Sequence, residues 1–134
     1  MALRLTLKPQ ERVIIGGAVI KNGDSRTEFF VMNEVPVLRE PDILSPGSVQ
    51  TPCERIYLAI QLMYVDPTNL GIHQRTYWTL VGELVSAAPS LLGRIDRLSR
   101  EILAGNYYRA LRLAQKLIAH ETEMLHHVRP NQSL

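Results

Sequence analysis

One cysteine, Cys53, stands in 134 residues, which excludes an intramolecular disulfide and a cysteine-ligated zinc site. A small buried or half-buried side chain is the ordinary role left to it. Long hydrophobic runs are also missing: no stretch of about 18 apolar residues is present, and Met1-Ala2-Leu3-Arg4 lacks the apolar core of a signal peptide. The expectation is a cytoplasmic protein with no membrane partner. Charge of one sign is scarce too, because 15 Lys and Arg face 13 Asp and Glu for a net charge of +2. A nucleic-acid binder with that balance needs its positive charge segregated onto one face.

The usual marks of catalysis are absent from the sequence. It has no His-Glu-x-x-His pair, no glycine-rich phosphate loop and no Gly-x-Ser-x-Gly elbow. Of its histidines, His73 stands alone, while His120, His126 and His127 cluster near the expected end of a helix, with Glu121 and Glu123 nearby. Cations are favoured at a helix C-terminus in any protein, so a solvated structural role is the reading for these side chains. The sequence therefore assigns no catalytic residue, no metal site and no cofactor, and the chain is not expected to be an enzyme.

What the chain does have is a change of periodicity. In the first forty residues apolar side chains alternate as in strands: Leu3, Leu5 and Leu7 fall on one side, and Arg4, Thr6 and Lys8 on the other. Pro9 ends this run. Arg12 to Ile15 is a second, broken by Gly16-Gly17, and Ala18 to Lys21 is a third. Asn22-Gly23-Asp24 predicts a hairpin turn, with Arg26 to Met32 as the returning strand. Val35 to Glu40 forms the last run before Pro41.

Pro41, Pro46, Gly47, Ser48 and Pro52 then mark a connection, with Thr51 placed to cap a helix and Pro52 at its first position. Beyond it the spacing becomes helical. Ile56, Ala59, Ile60 and Met63 share one face, and Tyr77, Leu80, Val81 and Leu84 share a second. Ser90 is expected to cap a third helix bearing Ile95, Leu98 and Ile102, and Gly105-Asn106 separates it from a fourth bearing Leu111, Ala114 and Leu117. The fold class is α+β: a small antiparallel β module of about five strands over residues 1–44, a connection over 45–51, about four helices over 52–128, and a flexible tail over 129–134. So small a β module buries little surface by itself. Either the helices cover it or two chains share it, and a homo-oligomer, preferably a dimer, is expected.

The basic residues are unevenly placed. Arg94, Arg97, Arg100, Arg109, Arg112 and Lys116 lie in the third and fourth helices against Asp96 and Glu101. Three- and four-residue spacing sets Arg94 with Arg97 and Glu101, and Arg109 with Arg112 and Lys116. Antiparallel packing of the two helices would join them into a stripe that holds phosphates without reading sequence. The competing reading is an ordinary solvated helix face. In the β module Arg4, Lys8 and Arg39 are the candidates for RNA contact, with an exposed ion pair to Glu40 or Glu34 as the other role open to Arg39.

Leu5-Thr6-Leu7-Lys8-Pro9, Asn22-Gly23-Asp24, Val37-Leu38-Arg39-Glu40, Arg55-Ile56-Tyr57, Ile60-Gln61-Leu62-Met63-Tyr64 and Gly105-Asn106-Tyr107-Tyr108-Arg109-Ala110-Leu111 together resemble the FlbT family of flagellin regulators along essentially the whole chain. The resemblance implies a post-transcriptional regulator of flagellum biogenesis that binds the 5′ untranslated leader of flagellin mRNA and controls its translation and degradation, with repression preferred over activation. It also implies the small regulator FlaF as a partner. Residues 3–44 are similar, more weakly, to the translational repressor CsrA, and this likeness implies an RNA contact at Arg39. The basic position of that family's first strand is not matched, because Leu7 follows Thr6 and Lys8 faces the other side. The alternative function is a protein-interaction module that binds flagellin or a flagellar partner and affects the message only indirectly.

Overall fold

The computed structural model describes residues 2–132, with side chains as far as His126. His127 and the side chains of the expected tail lie outside the described residues. Among the described residues the order is β1 (Leu3–Leu7), β2 (Arg12–Ile15), β3 (Ala18–Lys21), β4 (Thr27–Val31), β5 (Val37–Arg39), α1 (Pro52–Val65), α2 (Leu70–Ala87), α3 (Leu92–Leu103) and α4 (Tyr107–Gln132). The α+β class and the expected five strands and four helices are present. The chain divides into two compact units, Met1–Ile43 with Val65–Thr68, and Leu44–Tyr64 with Asn69–Leu134.

In the β unit, β1 pairs antiparallel with β4, from Leu3 opposite Val31 to Leu7 opposite Thr27. A second sheet has the order β3-β2-β5. Leu5, Leu7 and Val13 are buried at the centre of a cluster that Ile15, Phe29, Val31 and Val37 complete. Alternation along each strand thus delivers one apolar face per sheet to a shared core. Full burial stabilises by about 1.5–3 kcal/mol for each such side chain.

The turn chemistry differs from the sequence expectation. Asn22-Gly23 does not join a hairpin, and the strand after it pairs with β1 rather than with β3. The two-residue hairpin is Gly16-Gly17, between the paired Ile15 and Ala18. Its φ values of 56° and 90° supply the positive φ that a type I′ turn needs at both positions. A Cβ on Gly17 would also stand 3.1 Å from the Val65 carbonyl oxygen.

Asn22 has another task. Its backbone N–H continues the ladder to the Glu11 carbonyl at 2.8 Å. Its side-chain amide donates to the carbonyls of Leu7, Lys8 and Ser25 at 3.2, 2.8 and 3.0 Å. A side chain that ties three carbonyls redirects the chain toward β1 instead of folding it back on β3.

The helical unit begins with a capping box. The Thr51 hydroxyl accepts from the Glu54 N–H at 3.2 Å, and the Glu54 carboxylate accepts from the Thr51 N–H at 3.1 Å. The expected cap and first-position proline are both in place. Ser90 does not cap α3. Pro89–Leu91 forms a short 3-10 turn, Leu91 occupies the capping position, and no side chain bonds there. Pro89 fixes its own φ in the helical range and starts the turn early, which puts Ser90 inside it.

Several buried polar groups in this unit are matched. Tyr77 on α2 shares a 2.8 Å hydrogen bond with Ser99 on α3, and burial pushes the tyrosine hydroxyl up to about 12 although Ser99 opposes the shift. Gln61 on α1 accepts from the Leu44 N–H at 2.8 Å and donates to its carbonyl at 3.0 Å. Glu121 on α4 accepts the Cys53 N–H at 3.2 Å in the first turn of α1, where a carboxylate suits the helix dipole. Cys53 is buried, and burial, with Glu121 beside it, pushes its thiol up to about 12. It is thus an inert core side chain.

Candidate nucleic-acid interface

The α3–α4 hairpin turns on Ala104–Asn106. The Asn106 N–H donates to the Glu101 carbonyl at 2.9 Å and the Gly105 N–H to that of Ile102 at 3.0 Å, with Gly105 at φ +78°. This is a Schellman termination, which asks for the left-handed conformation that glycine adopts without strain. Ile95, Leu98 and Ile102 of α3 and Ala110, Leu111, Ala114 and Leu117 of α4 are buried. Burial of those positions leaves Arg97 and Arg100 of α3 and Arg112 and Lys116 of α4 exposed between them.

They line one groove. A narrow end of about 70 Å³ is formed by Arg94, Arg97, Leu98, Leu113, Lys116 and Leu117. A wider end of about 390 Å³ is formed by Arg97, Arg100, Glu101, Arg109, Arg112 and Leu113. Arg97 and Leu113 border both, so the two ends adjoin. Six cations against one carboxylate therefore line it, in a chain whose whole net charge is +2. The segregation that the composition requires of a polyanion binder is present here.

The cations differ in their partners. Arg100 pairs with Asp96 at 3.0 Å across one helical turn, both side chains being exposed. Arg112 donates to Gln115 at 3.1 Å and to the Tyr108 hydroxyl, and its guanidinium lies 4.9 Å from the centre of the Tyr108 ring. Among the described residues, no hydrogen bond or ion pair engages the side chains of Arg94, Arg97, Arg109 or Lys116. Glu101 stands among them with Oε2 buried and without a hydrogen-bond partner among the described residues.

Of the residues expected to touch RNA, the structure brings together Arg94, Arg97, Arg109, Arg112 and Lys116. Arg4, Lys8 and Arg39 belong to the β unit. Arg4 pairs with Glu28 on the neighbouring strand, Nε to Oε2 at 2.8 Å. Lys8 has an exposed side chain just beyond β1. Arg39 donates from Nη2 to the Thr6 carbonyl at 2.7 Å and toward Glu11 at 3.4 Å. Thr6 lies on β1 and Arg39 on β5, so this guanidinium ties one sheet to the other.

Sequence reasoning missed the unpartnered oxygen of Glu101 and the contact between Tyr108 and Arg112. The four-residue step from Tyr108 to Arg112 was the available signal for the second. For the first there was none, because an unpartnered carboxylate oxygen depends on how the helices pack. The described residues hold no group of three or more His, Cys, Asp or Glu placed to bind a metal, and no described helix is long and apolar enough to cross a membrane.

Comparison with known proteins gives the family. The sequence matches the one described as "Flagellar protein FlbT" over residues 3–125. The chain belongs to the FlbT family. It is 46% identical over 125 residues to the probable flagellum biosynthesis repressor protein FlbT 1 of Bradyrhizobium diazoefficiens, covering 92% of this chain and 85% of the relative. It is 44% identical to the probable flagellum biosynthesis repressor protein FlbT of Rhodopseudomonas palustris, covering 93% and 98%. The flagellum biosynthesis repressor protein FlbT of Caulobacter vibrioides is 38% identical over 130 residues, covering 96% and 92%. No solved structure matches the FlbT-family fold of this chain.

Proposed function

We propose that this FlbT-family chain represses flagellum biosynthesis after transcription, by holding the 5′ untranslated leader of a flagellin mRNA in the groove between α3 and α4. The relatives' names supply the flagellar role. The observation that carries the RNA reading is the row of four cations, Arg94, Arg97, Arg109 and Lys116, which have no hydrogen-bond or ion-pair partner among the described residues and line the two adjoining ends of the groove. Each such side chain meets a phosphate with the release of condensed counterions, a favourable and strongly salt-dependent step. No cofactor enters this account. A protein seated on a leader competes with the ribosome or a nuclease for the same RNA, and occupancy alone changes translation and message lifetime.

Purified protein titrated with a flagellin leader and with a scrambled leader, over a range of salt, tests the reading. Salt-sensitive binding is expected, with the leader preferred. Absence of salt-sensitive binding to either would transfer the function to protein contacts, with FlaF or flagellin as the partner and any effect on the message indirect.

A further inference from the structure

We infer that Tyr108 and Arg112 form a stacking platform at the wide end of the groove, which takes an unpaired base and makes single-stranded rather than duplex RNA the ligand. The inference rests on the RNA reading of the groove and adds to it the form of RNA that is bound. Arg112 lines the groove wall beside Arg109, so a strand whose phosphates lie along the groove passes directly over it.

The guanidinium is fixed before any ligand arrives. It lies over the Tyr108 ring at 4.9 Å, donates from Nη2 to the tyrosine hydroxyl, and donates from Nη1 to Gln115 at 3.1 Å. Tyr108 in turn has the Tyr64 ring at 5.9 Å, tilted by 49°. Even so, 41% of Tyr108 remains accessible. Two flat groups held together and left open beside a row of cations present what a splayed base needs, a planar surface next to a seat for its phosphate. A duplex keeps its bases stacked on one another and offers such a surface nothing but its backbone. An acidic peptide would fill the cation row equally well but brings no nucleobase beside each charge to lay on Arg112 and Tyr108.

Three ligands separate these cases: a short labelled oligouridylate, an abasic oligomer with the same number of phosphates, and a hairpin duplex, each titrated against wild type, Tyr108→Leu, Tyr108→Phe and Arg112→Lys. Wild type should bind the oligouridylate about tenfold more tightly than the abasic oligomer, and the duplex no better than the abasic oligomer. Tyr108→Leu and Arg112→Lys should abolish that tenfold ratio while leaving the salt dependence close to wild type, since each keeps the phosphate-binding charge. Tyr108→Phe keeps the ring and should keep the ratio. Equal binding of base-bearing and abasic oligomers by wild type, or a ratio unchanged in both Tyr108→Leu and Arg112→Lys, overturns the platform while leaving the phosphate groove standing. Binding of none of the three overturns the groove reading and the platform with it.

Discussion

The β unit and the α3–α4 hairpin both carry arginines, and among the described residues the two regions partner them in different proportion: Arg4, Arg12 and Arg39 but not Arg26 in the first, and Arg100 and Arg112 but not Arg94, Arg97 and Arg109 in the second. In the β unit Arg4 meets Glu28, Arg12 meets Glu40 at 3.0 Å, and Arg39 meets the Thr6 carbonyl and Glu11. In the hairpin Arg94, Arg97, Arg109 and Lys116 have no such partner among the described residues. The difference follows from secondary structure. A strand sets each side chain opposite or diagonal to one on its neighbour, and here Glu28 lies two ladder pairs from Arg4, diagonally on the same face of the sheet. A helix repeats one residue type along a stripe at steps of three and four, and two stripes of one sign, packed side by side, leave their charge for a partner of opposite sign. Partnered arginines hold a fold together, whereas unpartnered ones of like sign keep their charge available to an anion.

Charge reversal in the groove breaks this contrast most strongly. Arg97→Glu with Arg109→Glu should weaken leader binding by about a hundredfold at low salt, because two phosphate contacts become two repulsions. The loss should be similar for every RNA sequence, with unfolding in urea unchanged. An affinity within threefold of wild type would return both residues to the role of solvated helix surface.

Arg39→Ala is the matching change in the β unit, and the structural contact makes stability the first thing it alters. It removes a charge-assisted bond to the Thr6 carbonyl from a side chain that is 43% exposed, a loss of about 1 to 2 kcal/mol once solvent screening is allowed for. Urea unfolding reads that loss directly. If stability is unchanged while discrimination between leader and scrambled RNA collapses, Arg39 reads bases and the contrast between the two regions fails.

Glu101→Gln sharpens the comparison from the other side. The one carboxylate lining the groove opposes every phosphate that enters, so its neutralisation should raise affinity for all RNAs about fivefold, the equivalent of about 1 kcal/mol. Lower affinity would mean that Glu101 positions a neighbouring arginine. The smallest effect is expected at Glu40, where hydrogen bonds from Arg12 hold the carboxyl below its ordinary 4.5. A carboxyl depressed in the folded state adds stability above its unfolded value and loses it as pH falls through its folded value. Acid should therefore weaken wild type slightly more than Arg12→Ala, and a comparison of their urea midpoints between neutral pH and about pH 3 shows whether it does.

Much of this contrast was legible in the sequence, and the illegible parts share a cause. Strand and helix periodicity located all nine elements, and the three- and four-residue spacing of the basic residues grouped side chains that line the same pockets. Misreadings arose where two local signals competed. Asn22-Gly23 has the composition of a hairpin turn, but Gly16-Gly17 supplies positive φ at both positions and took that task, while the Asn22 side chain tied carbonyls at the end of β1. Ser90 has the composition of a cap, yet Pro89 before it starts the turn one residue early. The partners of Arg39 could not be foreseen from its neighbours Glu40 and Glu34, because Thr6 and Glu11 lie 33 and 28 residues away along the chain.

The central claim is that the unpartnered cations of the hairpin, and not the partnered arginines of the β unit, hold the RNA. The slope of log Kobs against log salt for leader binding tests it most directly, compared across wild type, Arg94→Ala with Lys116→Ala, and Arg4→Ala with Arg12→Ala. Each phosphate contact to a single strand contributes about 0.7 to that slope, so the hairpin variant should lose about 1.4 and the β-unit variant should match wild type. A slope that is unchanged in the hairpin variant and reduced in the β-unit variant would contradict the account.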